Sequence, residues 1–243
     1  MFAWRDDDAG LVRAFTDRHD GVSSPPFAGL NLGAHVGDDP QAVATNRVRL
    51  EEALGLATIW ADQVHGSEVV HVTQELLDGP RTGTGAVGVG DAMVTDLPGI
   101  ALGVLVADCT PVLVHDEDGA LIGVAHAGRP GMVAGVALHL VEAMRDLGAV
   151  RLRATVGPSV CGRCYEVPDE MRSAAALVAP VSAAVTWTGT PAIDVASGVV
   201  DQLQGAGVPV QWVPGCARED DALYSYRRDG RTGRFAGILG RAS

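Results

Sequence analysis

The sequence contains no lysine, and all 18 of its basic residues are arginine. This absence excludes Schiff-base chemistry, a pyridoxal-phosphate lysine and a P-loop lysine. An anionic substrate must therefore be bound by arginine side chains or by backbone N–H groups. Basic residues are also few overall. The formal net charge of −12 argues against binding to nucleic acid or to an anionic membrane surface.

The sequence also lacks the features of exported and membrane-spanning chains. Its N-terminus, MFAWRDDDAG, has neither the basic start nor the apolar run of a signal peptide. The longest apolar stretch, Ile100 to Val106, is too short to cross a bilayer. The 4 cysteines of such a chain favour free thiols or metal ligands over disulfides, and we expect a cytoplasmic protein.

Apolar periodicity predicts an α+β fold in one domain that spans residues 1–243. The loops between the predicted strands are too short for a regular series of parallel βαβ units, which indicates a mixed or antiparallel sheet core with helices packed outside. The predicted helices are about Gln41–Leu54, Gly131–Leu147, Pro168–Val178 and Ala192–Gln204. The predicted strands are Glu68–Thr73, Ile100–Ala107, Pro111–His115, Leu121–Ala125, Arg151–Val156 and Pro209–Val213, followed by a tail rich in glycine and arginine.

Three potential metal ligands lie in turns at the ends of apolar segments. Cys109 lies in DCTP, where Pro111 disfavours one continuous strand. His126 follows another apolar run in HAGRPG, and His65 lies in QVHG. Taken alone, each residue is more typical of core packing or of a hydrogen-bonded histidine than of a metal site.

Several longer segments together resemble one known family. The segments are GLNLGAHVGDDPQAVATNR, QVHG, DAMVTDLPGIALGVLVADCTPVLVHD, GVAHAG, GPSVCGRCYEV and SYRRDGRTGR. They are similar to the YfiH-like family, whose members are also called polyphenol oxidases, laccase-domain proteins or purine nucleoside phosphorylases. The resemblance covers nearly the whole chain in the right order, and it implies a YfiH-like fold of the cysteine-hydrolase type.

The resemblance implies that His65, Cys109 and His126 bind a metal ion, usually zinc. One thiolate and two imidazoles suit Zn²⁺, and three protein ligands leave a fourth position for water or substrate. Copper is the alternative metal for these donors, although the sequence fixes no axial ligand for it. We predict that Asp108, beside Cys109, joins the three ligands in the catalytic site. Asp91 is a second carboxylate that could orient a ligand or act as a base.

The resemblance also implies phosphorolysis of adenosine, inosine, guanosine and methylthioadenosine, with adenosine deamination assigned to the same site. Phosphate needs a cationic clamp, for which the planar guanidinium of arginine is suited. The candidate arginines are Arg47, Arg227, Arg228, Arg231 and Arg234, of which Arg47 and Arg228 are our chosen phosphate ligands. Asn31 and Gln63 are predicted to contact the base or sugar. A solvated arginine-rich surface is an equally good interpretation of the tail.

Two alternatives to a phosphorylase stay open. In a cysteine hydrolase or amidase that edits peptidoglycan precursors, Cys109 would be the nucleophile and His126 its base. In a non-catalytic binding module, the change from the family's HAGWRG to HAGRPG would have removed activity. Multi-copper oxidase chemistry is disfavoured, because the chain has 7 histidines and no His-x-His pair. Cys161 and Cys164 form a C-x-x-C, for which two thiols in an irregular loop are favoured over a redox or zinc site.

Overall fold

The computed structural model describes residues 1–8, 10–117 and 120–242. Within these ranges, short segments rich in β-branched and apolar residues form strands, and amphipathic segments form helices. The strands are β1 (Phe2–Asp8), β2 (Leu11–Thr16), β3 (Ala57–Trp60), β4 (Val69–His71), β5 (Ala92–Thr95), β6 (Ile100–Val106), β7 (Thr110–Asp116), β8 (Ile122–Ala127), β9 (Leu152–Val156), β10 (Ala183–Val185), β11 (Pro191–Ile193), β12 (Val210–Trp212) and β13 (Phe235–Arg241). The helices are α1 (Pro40–Leu54), α2 (Gln74–Asp78), α3 (Arg129–Val133), α4 (Val136–Asp146), α5 (Asp169–Val178), α6 (Val195–Gly205) and α7 (Tyr226–Asp229).

The strands form two mixed sheets and a separate antiparallel pair, β10 with β11. The first sheet has the order β1-β2-β13-β6-β3, and the second has the order β12-β9-β7-β8-β5-β4. The parallel pairs are β3 with β6, β4 with β5, and β9 with β12. The prediction of a mixed α+β architecture is confirmed, but its strands are divided between two sheets, where the sequence suggested one.

Three of the four apolar clusters formed by the described residues lie in layers that these sheets create. Between the sheets, Phe15 and Leu102 of the first sheet pack in one cluster with Leu113 of the second. On the outer face of the first sheet, helix α1 contributes Leu50 to a further cluster. On the outer face of the second sheet, helices α4 and α6 supply a third, which includes Leu140. Helices therefore cover both outer faces, as the sequence predicted.

The prediction of a C-terminal tail was wrong. Residues Phe235–Arg241 form β13, which lies inside the first sheet between β2 and β6. Glycines interrupt the alternating apolar pattern by which this strand would be recognised, and they are needed because neighbouring residues pack closely against its backbone. A Cβ on Gly237 would lie 2.8 Å from the Cβ of Pro111, and one on Gly240 would lie 2.6 Å from Leu56 Cδ1. The hairpin of β1 and β2, which pairs with this strand, was also not predicted.

The predicted helix Gly131–Leu147 is two helices. Helix α3 ends before Gly135, which adopts a left-handed φ of 77°, and α4 begins at the next residue. The predicted helix Ala192–Gln204 also begins later, because its first residues belong to β11. The predicted central strands agree with β6, β7, β8 and β9 to within about two residues. In the described ranges, no helix is both long and apolar enough to cross a membrane.

Candidate active site

One edge of the second sheet brings together residues that the sequence separates. Strand β7 begins directly after Cys109, and its Pro111 pairs with His126 near the end of β8. Strand β5 begins directly after Asp91 and pairs with the same β8 in antiparallel register. Because an antiparallel strand begins where its neighbour ends, these three side chains meet at one edge.

His65 reaches this edge in a loop that the Asp91 carboxylate holds. That carboxylate accepts the backbone N–H groups of Val64, His65 and Gly66 at 3.1, 2.9 and 2.6 Å. The loop gives His65 a φ of 61°, a left-handed conformation that is uncommon outside glycine. Gly128 allows the close approach, since a Cβ there would lie 2.7 Å from His65 Cδ2.

His65, Cys109 and His126 present three ligand atoms that all lie within 4.8 Å of one another. The Cys109 Sγ is 3.7 Å from His65 Nε2. His126 Nδ1 is 2.8 Å from Asp91 Oδ1, so the opposite ring nitrogen is the one available to a metal. A carboxylate on the far side of a ligating histidine fixes its tautomer and orientation. This donor set and its support fit a zinc ion that keeps one coordination position open.

The same neighbours control ionisation within this cluster. Burial acts to raise the pKa of the Cys109 thiol, but His126 and His65 outweigh it and lower that pKa to about 6. Burial acts to lower the pKa of His126, but Cys109 and Asp91 outweigh it and raise that pKa to about 9. Without metal, the cluster at neutral pH is therefore a thiolate beside an imidazolium. The thiolate is the form that binds metals and attacks electrophiles.

The cluster opens into a pocket of about 620 Å³, a size that suits a small organic ligand. Arg129, Arg227 and Arg234 line it, together with Tyr165 and Tyr226. The Arg227 guanidinium lies over the Tyr165 ring, 4.5 Å from its centroid. Burial lowers the pKa of Arg234 from its usual value. Arginine nevertheless stays charged in proteins. The pocket thus offers cations to an anion and aromatic rings to a planar base.

Two of the predicted residues, Gln63 and Asp108, line this pocket. The Gln63 side chain is fixed by two hydrogen bonds to the backbone of Leu105, both 2.8 Å long. The Asp108 carboxylate accepts the Ser225 hydroxyl at 2.6 Å and the Arg227 backbone N–H at 2.7 Å. It therefore attaches the C-terminal region to the pocket, which favours a positioning role over the catalytic role predicted for it.

The two arginines predicted to bind phosphate lie outside the residues described as lining the pocket. Arg228 donates to the Leu223 carbonyl at 2.8 Å and pairs with Asp229 at 2.9 Å. Arg47 lies over the Trp60 ring, 5.0 Å from its centroid, in a smaller neighbouring cavity. Their guanidinium groups donate to backbone carbonyls. The arginines that do line the pocket are Arg129, Arg227 and Arg234, of which the last two are also candidates from the sequence.

Asn31 is fully buried, and its side chain is also used for structure. Its Oδ1 accepts the backbone N–H groups of Gly33 at 3.0 Å and Arg234 at 2.8 Å. Asn31 therefore does not line the pocket itself but positions the backbone of Arg234, which does. Sequence reasoning missed His35, which lines the pocket four residues further on. The signal for it was its place in the GLNLGAHVGDDP segment of the family resemblance.

Sequence comparison identifies relatives of this chain. Residues 12–242 match a family model described as multi-copper polyphenol oxidoreductase laccase. Purine nucleoside phosphorylase ORF3 of Streptomyces griseus is 50% identical over 232 residues, which are 93% of this chain and 92% of that protein. A purine nucleoside phosphorylase of Streptomyces coelicolor is 48% identical over 245 residues, which are 98% of this chain and 99% of that protein.

Solved structures give the same grouping. YlmD from Geobacillus stearothermophilus superposes with a TM-score of 0.88 at 33% identity, covering 97% of this chain and 93% of that one. Bacillus licheniformis YfiH superposes with a TM-score of 0.85 at 28% identity, covering 95% and 92%. The fold, the pocket motifs and these matches agree over almost the whole length. The chain therefore belongs to the YfiH-like family, whose family model carries the laccase description.

Proposed function

We propose that this protein is a zinc-dependent purine nucleoside phosphorylase that cleaves adenosine, inosine, guanosine or methylthioadenosine with phosphate. The observation that carries the proposal is a single pocket that contains both the His65–Cys109–His126 cluster and three arginines. Relatives at 48% and 50% identity bear the name of this activity, which supports the reaction class. All four cysteines are free, in agreement with a cytoplasmic location.

We assign phosphate binding to Arg129, Arg227 and Arg234. The Arg234 guanidinium is held by hydrogen bonds to the carbonyls of Thr232 and Gly233, both 3.0 Å long. Arg227 is held by its stacking on a tyrosine ring. Because both guanidinium planes are fixed before phosphate arrives, little side-chain entropy is lost when each forms its bonds.

In the proposed reaction, a phosphate oxygen forms a bond to C1′ of the nucleoside as the bond between C1′ and purine N9 breaks. The electron pair of that bond leaves with the purine, which takes up a proton, and the sugar becomes its 1-phosphate. The arginines hold the nucleophile in place, while Tyr165 and Tyr226 offer rings on which the base can stack. Holding both reactants in one pocket supplies much of the rate acceleration.

His65, Cys109 and His126 would hold the zinc ion, and Asp91 would orient His126 through its hydrogen bond. When bound, zinc supplies a Lewis acid that polarises an acceptor group in the pocket. The thiolate and imidazole donors also accept copper, which outranks zinc in intrinsic affinity. Metal content must therefore be measured in every preparation that is assayed.

We expect negligible laccase activity despite the description of the family model. Reduction of oxygen by four electrons needs several coppers close together, each with several nitrogen or sulfur ligands. Within the described residues, only one potential metal-binding group contains histidine. His71 lies on β4, His115 on β7 and His139 on α4, so they belong to separate elements.

The test is an assay of untagged protein of known metal content with each nucleoside, with and without phosphate. Free purine and sugar 1-phosphate are measured together, and inosine formed from adenosine reports deamination separately. Zinc-loaded, copper-free protein is expected to release purine only when phosphate is present and to leave a phenolic dye unchanged. Robust dye oxidation without purine release would overturn the proposal.

A second candidate, a cysteine hydrolase, is favoured by one specific arrangement. The Cys109 thiolate, the His126 imidazolium and the Asp91 carboxylate lie together, and they would serve as a nucleophile, a base that has already taken up the thiol proton, and a carboxylate that orients this base. Such an enzyme would work without metal and would hydrolyse an amide, such as one in a peptidoglycan precursor. Chelator-treated, metal-free protein that cleaves this amide, and loses the activity in Cys109→Ala, would establish it. Metal-free protein without amidase activity would exclude it.

A further inference from the structure

A second group of soft ligands lies beside the pocket, on the same edge of the second sheet. Strands β9 and β12 are parallel, with Trp212 opposite Val156, so both end at this edge. The segments that follow them are joined by a β-bridge between Ser159 and Cys216. Cys161 therefore lies next to Cys216, although the two are 55 residues apart in the sequence.

Each of these segments continues into a turn of the same design. One turn runs from Cys161 to Cys164 and the other from Cys216 to Glu219, each with an arginine in third place. The N–H of Cys164 donates to the Cys161 carbonyl at 2.9 Å, and that of Glu219 donates to the Cys216 carbonyl at 3.0 Å. Two ligands three residues apart in a turn are the usual half of a structural zinc site.

The side chains of the two turns converge. One sulfur or carboxylate atom from each of Cys161, Cys164, Cys216 and Glu219 lies within 4.8 Å of the other three. Cys164 Sγ donates to Glu219 Oε1 at 3.2 Å, and the Cys161 N–H donates to Cys216 Sγ at 3.5 Å. The four donors are sufficient for a tetrahedral site with no position left for substrate.

We propose that Cys161, Cys164, Cys216 and Glu219 bind a structural zinc ion. Three sulfur donors select zinc over magnesium or calcium, which prefer oxygen. A disulfide would use only two of the thiols and would leave the third thiol and Glu219 without a role. This site does not depend on the proposed phosphorylase activity, because it shares no residue with the pocket cluster.

The surrounding charges also suit such a site. Three thiolates and one carboxylate carry more negative charge than Zn²⁺ neutralises. Arg163 and Arg218, the third residues of the two turns, line a shallow cavity together with Cys164. Arg163 is held over the Trp187 ring, 4.9 Å from its centroid. These cations lie where they offset the excess negative charge of a sulfur-rich zinc site.

The proposed zinc ion would hold one wall of the pocket in place. Val160 and Tyr165 flank the first turn, and both line the pocket. The Val160 N–H also donates to the Asp108 carbonyl, 2.9 Å away. Strand β12, which leads into the second turn, has only three residues and lies at the edge of its sheet. So short a strand contributes little folding free energy. A metal ion that joins the two turns would supply more.

The test is a cobalt titration of Cys109→Ala after its native metal has been removed with a chelator. That variant keeps only the three cysteines of this group, since the chain has 4 in all. A charge-transfer band from sulfur to cobalt therefore reports on this site alone. We expect the band to saturate at one cobalt per chain, and to disappear when Cys164→Ser is added.

A second arm leaves all three thiols of the proposed site in place. In the Cys109→Ala background, Glu219→Gln should weaken cobalt binding on the order of tenfold or more, as loss of a ligand charge predicts. Asp220→Asn, the matched control at the next position, should leave it unchanged. The proposal is overturned if Cys109→Ala gives no band, or if the band survives Cys164→Ser or resists Glu219→Gln. An intact mass of anaerobically purified wild type that shows a disulfide among the three thiols would also overturn it.

Discussion

The two ligand groups lie on one edge of the same sheet, yet their surroundings give their thiols opposite properties. Around Cys109, burial is outweighed by two histidines, and the pKa of the thiol falls to about 6. Around Cys164, burial raises the pKa, and the hydrogen bond to Glu219 raises it further. Burial and the neighbouring Cys216 also raise the pKa of Cys161. The first group ionises through its own imidazoles, whereas the second needs an added cation to do so.

The surroundings of the two groups also indicate which group can take part in a reaction. The pocket group has three protein donors, contains imidazoles and faces a cavity, so it keeps a position for a ligand from solution. The second group has four protein donors in paired turns, and a metal there would have no such position. We therefore expect substitutions in the first group to abolish activity, and substitutions in the second to act through stability.

The largest expected effect is at His126. His126→Ala removes a metal donor and the partner of the Cys109 thiolate, so we expect phosphorolysis to fall on the order of 1000-fold or more. Metal content should fall by one equivalent per chain in elemental analysis. His71→Ala, an exposed histidine on β4, is the control and should change neither quantity. Full metal content in His126→Ala would contradict the ligand assignment.

The next effect separates the arginines of the pocket from those that hold loops. Arg234→Ala removes one charged contact to phosphate, worth roughly 1.5–3 kcal/mol, so KM for phosphate should rise about 10- to 100-fold. Arg228→Ala, the matched control, breaks bonds to carbonyl groups and to Asp229. It should lower the melting temperature and leave KM for phosphate unchanged. If KM for phosphate is unchanged in Arg234→Ala but raised in Arg228→Ala, phosphate binds at Arg228, as predicted from the sequence.

A smaller effect is expected when the carboxylate behind the metal ligands is changed. Asp91→Asn keeps the shape of the side chain but removes the charge that orients His126 and holds the His65 loop. Loss of such a supporting partner typically costs roughly 10- to 100-fold in metal affinity. Competition with a chelator measures it, and Asp96→Asn, an exposed neighbour, is the control. If the two variants bind zinc with equal affinity, Asp91 supports only the fold and not the metal ligands.

Much of the pocket could be predicted from the sequence. The cluster of His65, Cys109 and His126 was identified through the family resemblance of the segments that contain these residues, and β6 to β9 were identified through β-branched runs. Which arginines line the pocket could not be predicted in the same way, because arginine composition does not say which guanidinium groups face it. Arg234 faces the pocket because the Asn31 side chain accepts its backbone N–H and because β13 follows it directly. The contact with Asn31 and the pairing of β13 with β6 both join parts of the chain that are far apart in the sequence.

The second ligand group shows why local spacing is not sufficient. Cys161 and Cys164 form a visible pair, but the sequence favours an irregular loop there, because Pro168 separates the pair from the next helix and a site of four cysteines would have to include Cys109. Cys216 and Glu219 form no recognisable motif, and only the parallel pairing of β9 with β12 brings them to the first pair. Strand pairing over such a distance depends on the whole fold, which no window of sequence contains.

The smallest expected effect is a difference between the two groups in how thiol alkylation depends on pH. In chelator-treated protein, the Cys109 thiolate fraction should fall as pH drops through about 6, because protonation of the thiolate removes the nucleophile. Alkylation of Cys109 should therefore slow about tenfold between pH 7 and pH 5. Cys161 and Cys164, whose pKa values are raised, should react far more slowly than Cys109 at pH 7 and at pH 5. Peptide mass spectrometry measures each site, and zinc should protect Cys109. Equal rates at all of these cysteines at pH 7 would show that the histidines do not control the pocket thiol.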